Sequence, residues 1–465
     1  MQTGTTRWRS AAARLSDMSV SAPYAGVLPN AGSGVIWLFL IGIFAPAAMT
    51  IYLGSIKFTL GRIALFTLLV PAMSELFRKG RHFVAADFLA LATSAWMIPA
   101  ILQTDPESLS SAIAMAMEFT GGYFVARAFL LGRSALDAFV RAFRIVAIVL
   151  VFFAFLEHLT GDVVVYNTIA RLWDLPTMVA ERRYGLPRGF SVFPHPILYG
   201  TFCVIAGAIF LFCERSPRNK ALYGGLCFFG CVLAMSSAPL MSFMLVLLIF
   251  TYDRLLQRYA WRWRALMLCI AAFVLAAFLL ANKPISWIIA NMTLDPATGY
   301  FRVGTWDTAF YHIGISPIVG YGFAVYSEDF FANASVDAVW LVLALRFGLP
   351  LVALVILMNV AAFFPSASAA RVQAQLTEQQ LSSMRTGFTV TLAMFMFTGV
   401  TVHYWNNVWM LWGVCIGVRA GFQEYAIGAA RAPIPRAARQ PAGVIARGRQ
   451  RSFARPNRKP LSEAP

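Results

Sequence analysis

An all-α polytopic membrane protein is the fold class this sequence predicts, and three observations predict it. Of 465 residues, 59% are hydrophobic and 13% charged, with a mean hydropathy of +0.67, too apolar for a soluble chain of this length. The apolar residues form continuous runs rather than the alternating segments of a barrel strand, and the hydrocarbon core admits only helices and closed barrels. The cations gather in some loops and avoid others, as they do when a membrane sorts them.

Crossing the hydrocarbon takes about 20 apolar residues, and about twelve transmembrane helices are expected, near 33–53, 56–77, 83–102, 109–130, 139–157, 194–213, 221–235, 238–252, 264–281, 337–364, 386–402 and 406–424. The segment 1–32 carries Arg7, Arg9 and Arg14 before a Pro/Gly/Asn-rich linker, so the first run reads as a retained anchor. The RKGRH knot at 78–82 stops the second span. Asp87 and Glu118 fall inside the third and fourth, where a carboxylate is expensive and serves either structural pairing or a substrate path. Between those spans Asp105 and Glu107 form an acid-x-acid pair, which fits a polar turn or a divalent-ion site on pyrophosphate. The basic loops 214–220 and 253–264 read as cytoplasmic faces, and 365–385 as a polar surface segment. The Cys residues all fall within spans, so no disulfide framework is implied. The basic tail 425–465 is expected to be disordered and to lie against anionic lipid.

The net charge of +17 is therefore a topology signal and not a nucleic-acid footprint. With both termini cytoplasmic, every Lys and Arg lies on the inner side except Lys57, Arg62, Arg171, Arg182, Arg183, Arg188, Lys283, Arg302 and Arg346. Most of these exceptions sit in two long outer loops, 158–193 and 283–336. In the first, Arg182, Arg183 and Arg188 converge before Pro194-His195-Pro196, where a helix start fixes the ring near the interface. His195 there is either a functional group or a satisfied hydrogen-bonding residue. In the second, Arg302 and Trp306 are i, i+4 neighbours, so the guanidinium can stack on the indole and serve phosphate or pyrophosphate, unless it pairs with Asp307 or Glu328. His312 lies farther along the same helical stretch, and Pro317, Gly320 and Gly322 then break it. Asp337 opens the tenth span as a base or a helix cap, and Arg346 inside that span needs an anionic partner such as Asp87, Glu118 or a substrate.

Taken in order, RGFSVFPHPILYGTF from Arg188, SSAPL from Ser236, FRVGTWDTAF from Phe301, SPIVGYGF from Ser316 and VDAVWLVLALRFGL from Val336 resemble the O-antigen ligase and O-antigen polymerase superfamily of bacterial inner-membrane proteins. The resemblance covers about residues 185 to 350. It implies a cofactor-free, metal-independent glycosyltransferase that takes a glycan from undecaprenyl pyrophosphate on the periplasmic side, which makes 158–193 and 283–336 periplasmic loops. Ligases of that kind deliver to lipid A core, and polymerases extend a lipid-linked repeat beside a flippase and a chain-length regulator. Arg188 and Arg302 match the positions that act on pyrophosphate. Where a ligase has His-Asn this chain has Asp337-Ala338, which favours a polymerase or exopolysaccharide-type relative. Asp337, His312 or His195 would then act as base, with Arg182, Arg183, Trp306 and Arg346 on the substrate. A multi-span transporter or a non-catalytic assembly partner is the rival reading.

Overall fold

The computed structural model describes residues 32–46, 49–53, 56–280, 296–323, 336–363 and 379–431. The segment 1–31, nearly all of the basic tail, most of 365–385, and Lys283, Asp295, Glu328 and Asp329 lie outside them.

The described chain is nearly all helix, with α1 Ser33–Phe44, α2 Leu60–Leu76, α3 Ala85–Thr104, α4 Leu109–Phe129, α5 Arg133–Thr160, α6 Val164–Leu172 and α7 Pro196–Cys213. It continues with α8 Pro217–Ala234, α9 Ser237–Leu255, α10 Arg262–Leu280, α11 Pro296–Ile315, α12 Val339–Phe363, α13 Gln379–Thr398 and α14 Asn406–Arg431. A helix underlies each apolar run, and α3, α5, α7, α9 and α12 are long and apolar enough to cross a membrane. The first run differs from expectation. Its helix ends at Phe44, and Thr50–Leu53 (β1) pairs antiparallel with Ile56–Thr59 (β2). The β-branched and aromatic residues of TIYL and IKFT explain the switch. At the other end α14 continues to Arg431, past the expected boundary at 424.

Local chemistry sets the helix ends. The Thr59 hydroxyl accepts from Arg62 N–H at the start of α2, and the Asp87 carboxylate accepts from Val84 N–H at 2.7 Å at the start of α3. Gly161, at φ +72°, closes α5 in the left-handed region. The α7 helix is buried along its whole length, and α8, α9 and α13 pack around it.

The carboxylates inside the bundle are paired structurally. Asp87 accepts from Tyr123 Oη at 2.6 Å and from Arg127 Nε and Nη2, both at 2.9 Å. Glu424 accepts from Arg81 Nε at 2.7 Å and from Arg127 Nη1. Glu118 pairs with Arg62 at 2.8 Å. The partners expected for Arg346 are thus committed elsewhere.

The α12 helix is broken. Gly348 has φ +79° and ψ 173°, two residues before Pro350. A break inside an apolar helix strands backbone groups that nothing in lipid can satisfy. The turn from Ser316 to Phe323 supplies the partners: Tyr321 N–H donates to Leu345 C=O at 2.7 Å, Gly322 N–H to Arg346 C=O at 3.1 Å, and Leu349 N–H to Pro317 C=O at 2.7 Å. Trp96 Nε1–H donates to Phe347 C=O at 2.9 Å. The late glycines belong here for steric reasons, since a Cβ on Gly348 would lie 1.8 Å from Ile318 O and one on Gly320 2.5 Å from Leu345 O.

Candidate functional site

The first long loop folds back as a two-residue ladder, Arg182–Arg183 (β3) against Leu186–Pro187 (β4). It is anchored on the α8–α9 reversal that carries the SSAPL sequence. Arg188 Nε donates to Ala234 C=O at 3.0 Å, Gly189 N–H to Leu233 C=O at 2.9 Å, and Arg183 Nη1 to Met235 C=O at 2.8 Å. Glu157, buried at the end of α5, accepts from Phe190 and Ser191 N–H at 2.7 and 2.6 Å. This pair of bonds positions the segment leading to α7, and no spacing in the sequence pointed to it.

Arg188 is a buried anchor more than an open cation, because Nη1 also bonds Glu181 Oε2 at 2.6 Å. His195 caps α7. Its Nδ1 accepts from Ile197 N–H at 3.1 Å, and its Nε2 lies 3.4 Å from Glu181 Oε1. With Nδ1 accepting, the proton belongs on Nε2 facing Glu181, so no lone pair is left for proton abstraction. Burial pushes the imidazole below its ordinary range; Glu181 and Asp337 oppose this, and Arg188 adds to it. His195 thus serves as the cap that opens α7. Arg182 is more exposed, with Nη1 3.4 Å from Gly185 C=O.

From the second loop, Arg302, Thr305 and Trp306 on α11 meet Asp337, Ala338, Val400 and Thr401 in one cleft. The expected stack of Arg302 on Trp306 is absent among the described residues; Trp306 instead packs on Phe310 at 5.4 Å. Arg302 Nε is buried with no hydrogen-bond partner there. Burial lowers its guanidinium, Asp337 offsets this, and Arg183 lowers it further, yet a guanidinium stays charged. Among the described residues Arg302 has no ion pair with Asp307, and Glu328 lies outside them. The first N–H of α12, Val339, donates to Gly399 and Val402 carbonyls at 3.0 and 3.1 Å rather than to the Asp337 side chain. Asp337 is exposed and acts electrostatically on both Arg302 and His195.

His312 does not join this group. Ten residues past Arg302, it stands about 15 Å along the helix, with its ring against Tyr321. Arg346 lies 4.4 Å over the Phe323 ring at the α12 break. Asp105 bonds Phe323 N–H at 3.1 Å, so the acid-x-acid segment serves as a turn and an anchor. A further stretch enters from between α13 and α14: Trp405 packs against both His195, at 6.5 Å, and His403, at 5.1 Å. Its only signal in the sequence is a His amid aromatics where two apolar runs meet.

Against protein-family models and against curated proteins, the chain has no match.

Proposed function

We propose that the chain is a membrane glycosyltransferase acting on undecaprenyl-pyrophosphate-linked glycan at the periplasmic face, polymerising or transferring it in O-antigen or exopolysaccharide biosynthesis. The observation that carries this reading is Arg302, a half-buried side chain whose Nε is buried without a hydrogen-bond partner, in the cleft that holds Asp337, Trp306 and Thr401. A fixed planar cation suits a departing pyrophosphate. Arg183, close enough to influence Arg302, adds charge there. The acceptor hydroxyl attacks the anomeric carbon as the carbon–oxygen bond to pyrophosphate breaks. Asp337 takes the hydroxyl proton, and configuration inverts. Arg188 and His195 hold the loop, and Arg182 stands at its exposed rim.

In a deletion strain, complementation with Arg302→Ala is expected to lower long-polymer yield by about 100-fold or more, and Asp337→Asn to do likewise, at unchanged protein level. Polymer of wild-type length and yield from both variants would end this reading. Loss of capped lipid A alone would mark a ligase.

The broken α12, with Arg346 in the last turn before the break, favours a second reading as a carrier, because discontinuous helices line transport sites. Purified protein reconstituted with lipid-linked glycan separates the two: chain growth marks the enzyme, and movement of unmodified substrate the carrier.

A further inference from the structure

At the end of the bundle opposite the Arg302 cleft in sequence polarity, a cleft of about 640 Å³ opens among α7, α8, α9 and α13. Leu211, Phe212 and Phe250 form its apolar wall, and Arg215, Lys220 and Arg254 line it with positive charge. Lys220 Nζ and Arg254 Cζ converge on the same ring, 5.8 and 5.2 Å from the Phe250 centroid.

Three carboxylates stand at or near the cleft, Glu214 on its wall, and each is paired with an arginine, Asp137 with the lining Arg215, which leaves Lys220 and Arg254 as the cations that face the cleft. Glu214 accepts from Arg144 Nε at 3.0 Å and from its Nη2. Asp137 pairs with Arg215, and Asp253 with Arg262 at 2.8 Å. Lys220 and Arg254 have no carboxylate within ion-pair distance among the described residues. Burial, followed by the Arg254 cation, lowers the Lys220 ammonium to about 8, against the opposing pull of Glu214 and Asp253. The α8 N-terminus, opening at Pro217 on the cleft wall, adds its positive dipole end.

We propose that this cleft is a binding site for an anionic phospholipid, with the headgroup phosphate between Lys220 and Arg254 and an acyl chain along Phe212 and Phe250. A free phosphate would satisfy the cations, but the apolar wall calls for an amphiphile. The loops bearing these cations, 214–220 and 253–264, are the ones their charge assigns to the cytoplasmic leaflet, where anionic lipid is encountered. The site is independent of the proposed transferase chemistry.

The test uses the full-length protein in neutral detergent, equilibrated with mixed micelles of phosphatidylglycerol and phosphatidylcholine and passed through size exclusion, with retained lipid measured by mass spectrometry. Wild type is expected to retain phosphatidylglycerol selectively, and Lys220→Gln and Arg254→Gln each to reduce it by about fivefold. Lys220→Arg should retain binding, which separates loss of charge from misfolding, and Arg258→Gln, on the exposed loop outside the cleft, should leave it unchanged. Equal retention of both lipids, or an equal loss with Arg258→Gln, would overturn the site. Displacement by millimolar inorganic phosphate would assign the cations to a soluble anion and overturn the lipid.

Discussion

His403 sits between α13 and α14 with Trp405 against its ring, and burial followed by the Arg346 cation holds its imidazole well below the ordinary histidine range. The folded protein therefore keeps it neutral where the unfolded chain would protonate it, near pH 6.5. Between the two values the unfolded state binds more protons, so stability rises with pH and is lost on acidification. His195, also lowered, contributes with the same sign. Thermal unfolding of the purified protein between about pH 7.5 and 5.5 should show a falling midpoint, and His403→Gln should flatten that fall. An unchanged slope in the variant would place the acid sensitivity elsewhere. Among the arginines the same scale separates roles. Arg188 spends its donors on Glu181 and Ala234, whereas Arg302 Nε is buried without a partner, although in the sequence both present simply as arginines of long interspan segments.

At the scale of elements, the Ser316–Phe323 turn and the break in α12 form one unit. Each carbonyl or amide stranded by Gly348 that has a described partner finds it in that turn or in Trp96. Two glycine substitutions test this. Gly348→Ala combines a φ of +79° with a Cβ 1.8 Å from Ile318 O, and a cost of about 3 kcal/mol or more is expected from strain and clash together. Gly304→Ala, on α11 with nothing within 4 Å of the added Cβ, should be neutral or stabilising by up to about 1 kcal/mol. Similar thermal midpoints for the two variants would mean that the break does not depend on a glycine. The Gly/Pro content of SPIVGYGF announces a chain reversal, but not that the reversal would satisfy a helix beginning sixteen residues later, at Val339.

For the whole molecule, the buried group of Arg81, Asp87, Tyr123, Arg127 and Glu424 joins α3, α4 and α14 through charges spaced up to 343 positions apart. Removing one partner from such a group leaves an uncompensated buried charge, at about 3–5 kcal/mol. Glu424→Ala, which strands Arg81 and leaves Arg127 with Asp87 alone, should lower the melting midpoint sharply, and Asp87→Ala combined with it should cost more than the two separately, because Arg127 then has neither carboxylate. Additive losses would show that the group does not act as one network. Much of this molecule was legible in the sequence alone: a mostly helical membrane chain, a helix in each apolar run, and the arginines of the two long interspan segments with Asp337 as conspicuous polar residues. Apolar run length and charge are local properties, and the membrane acts on them locally. Tertiary structure alone decided which arginine anchors and which faces a cleft, that His195 is a cap, that Glu157 and the His403–Trp405 loop belong near the site, and that α12 breaks. Each of these depends on partners from distant segments, and sequence spacing carries no record of which distant carbonyl or carboxylate a side chain will meet.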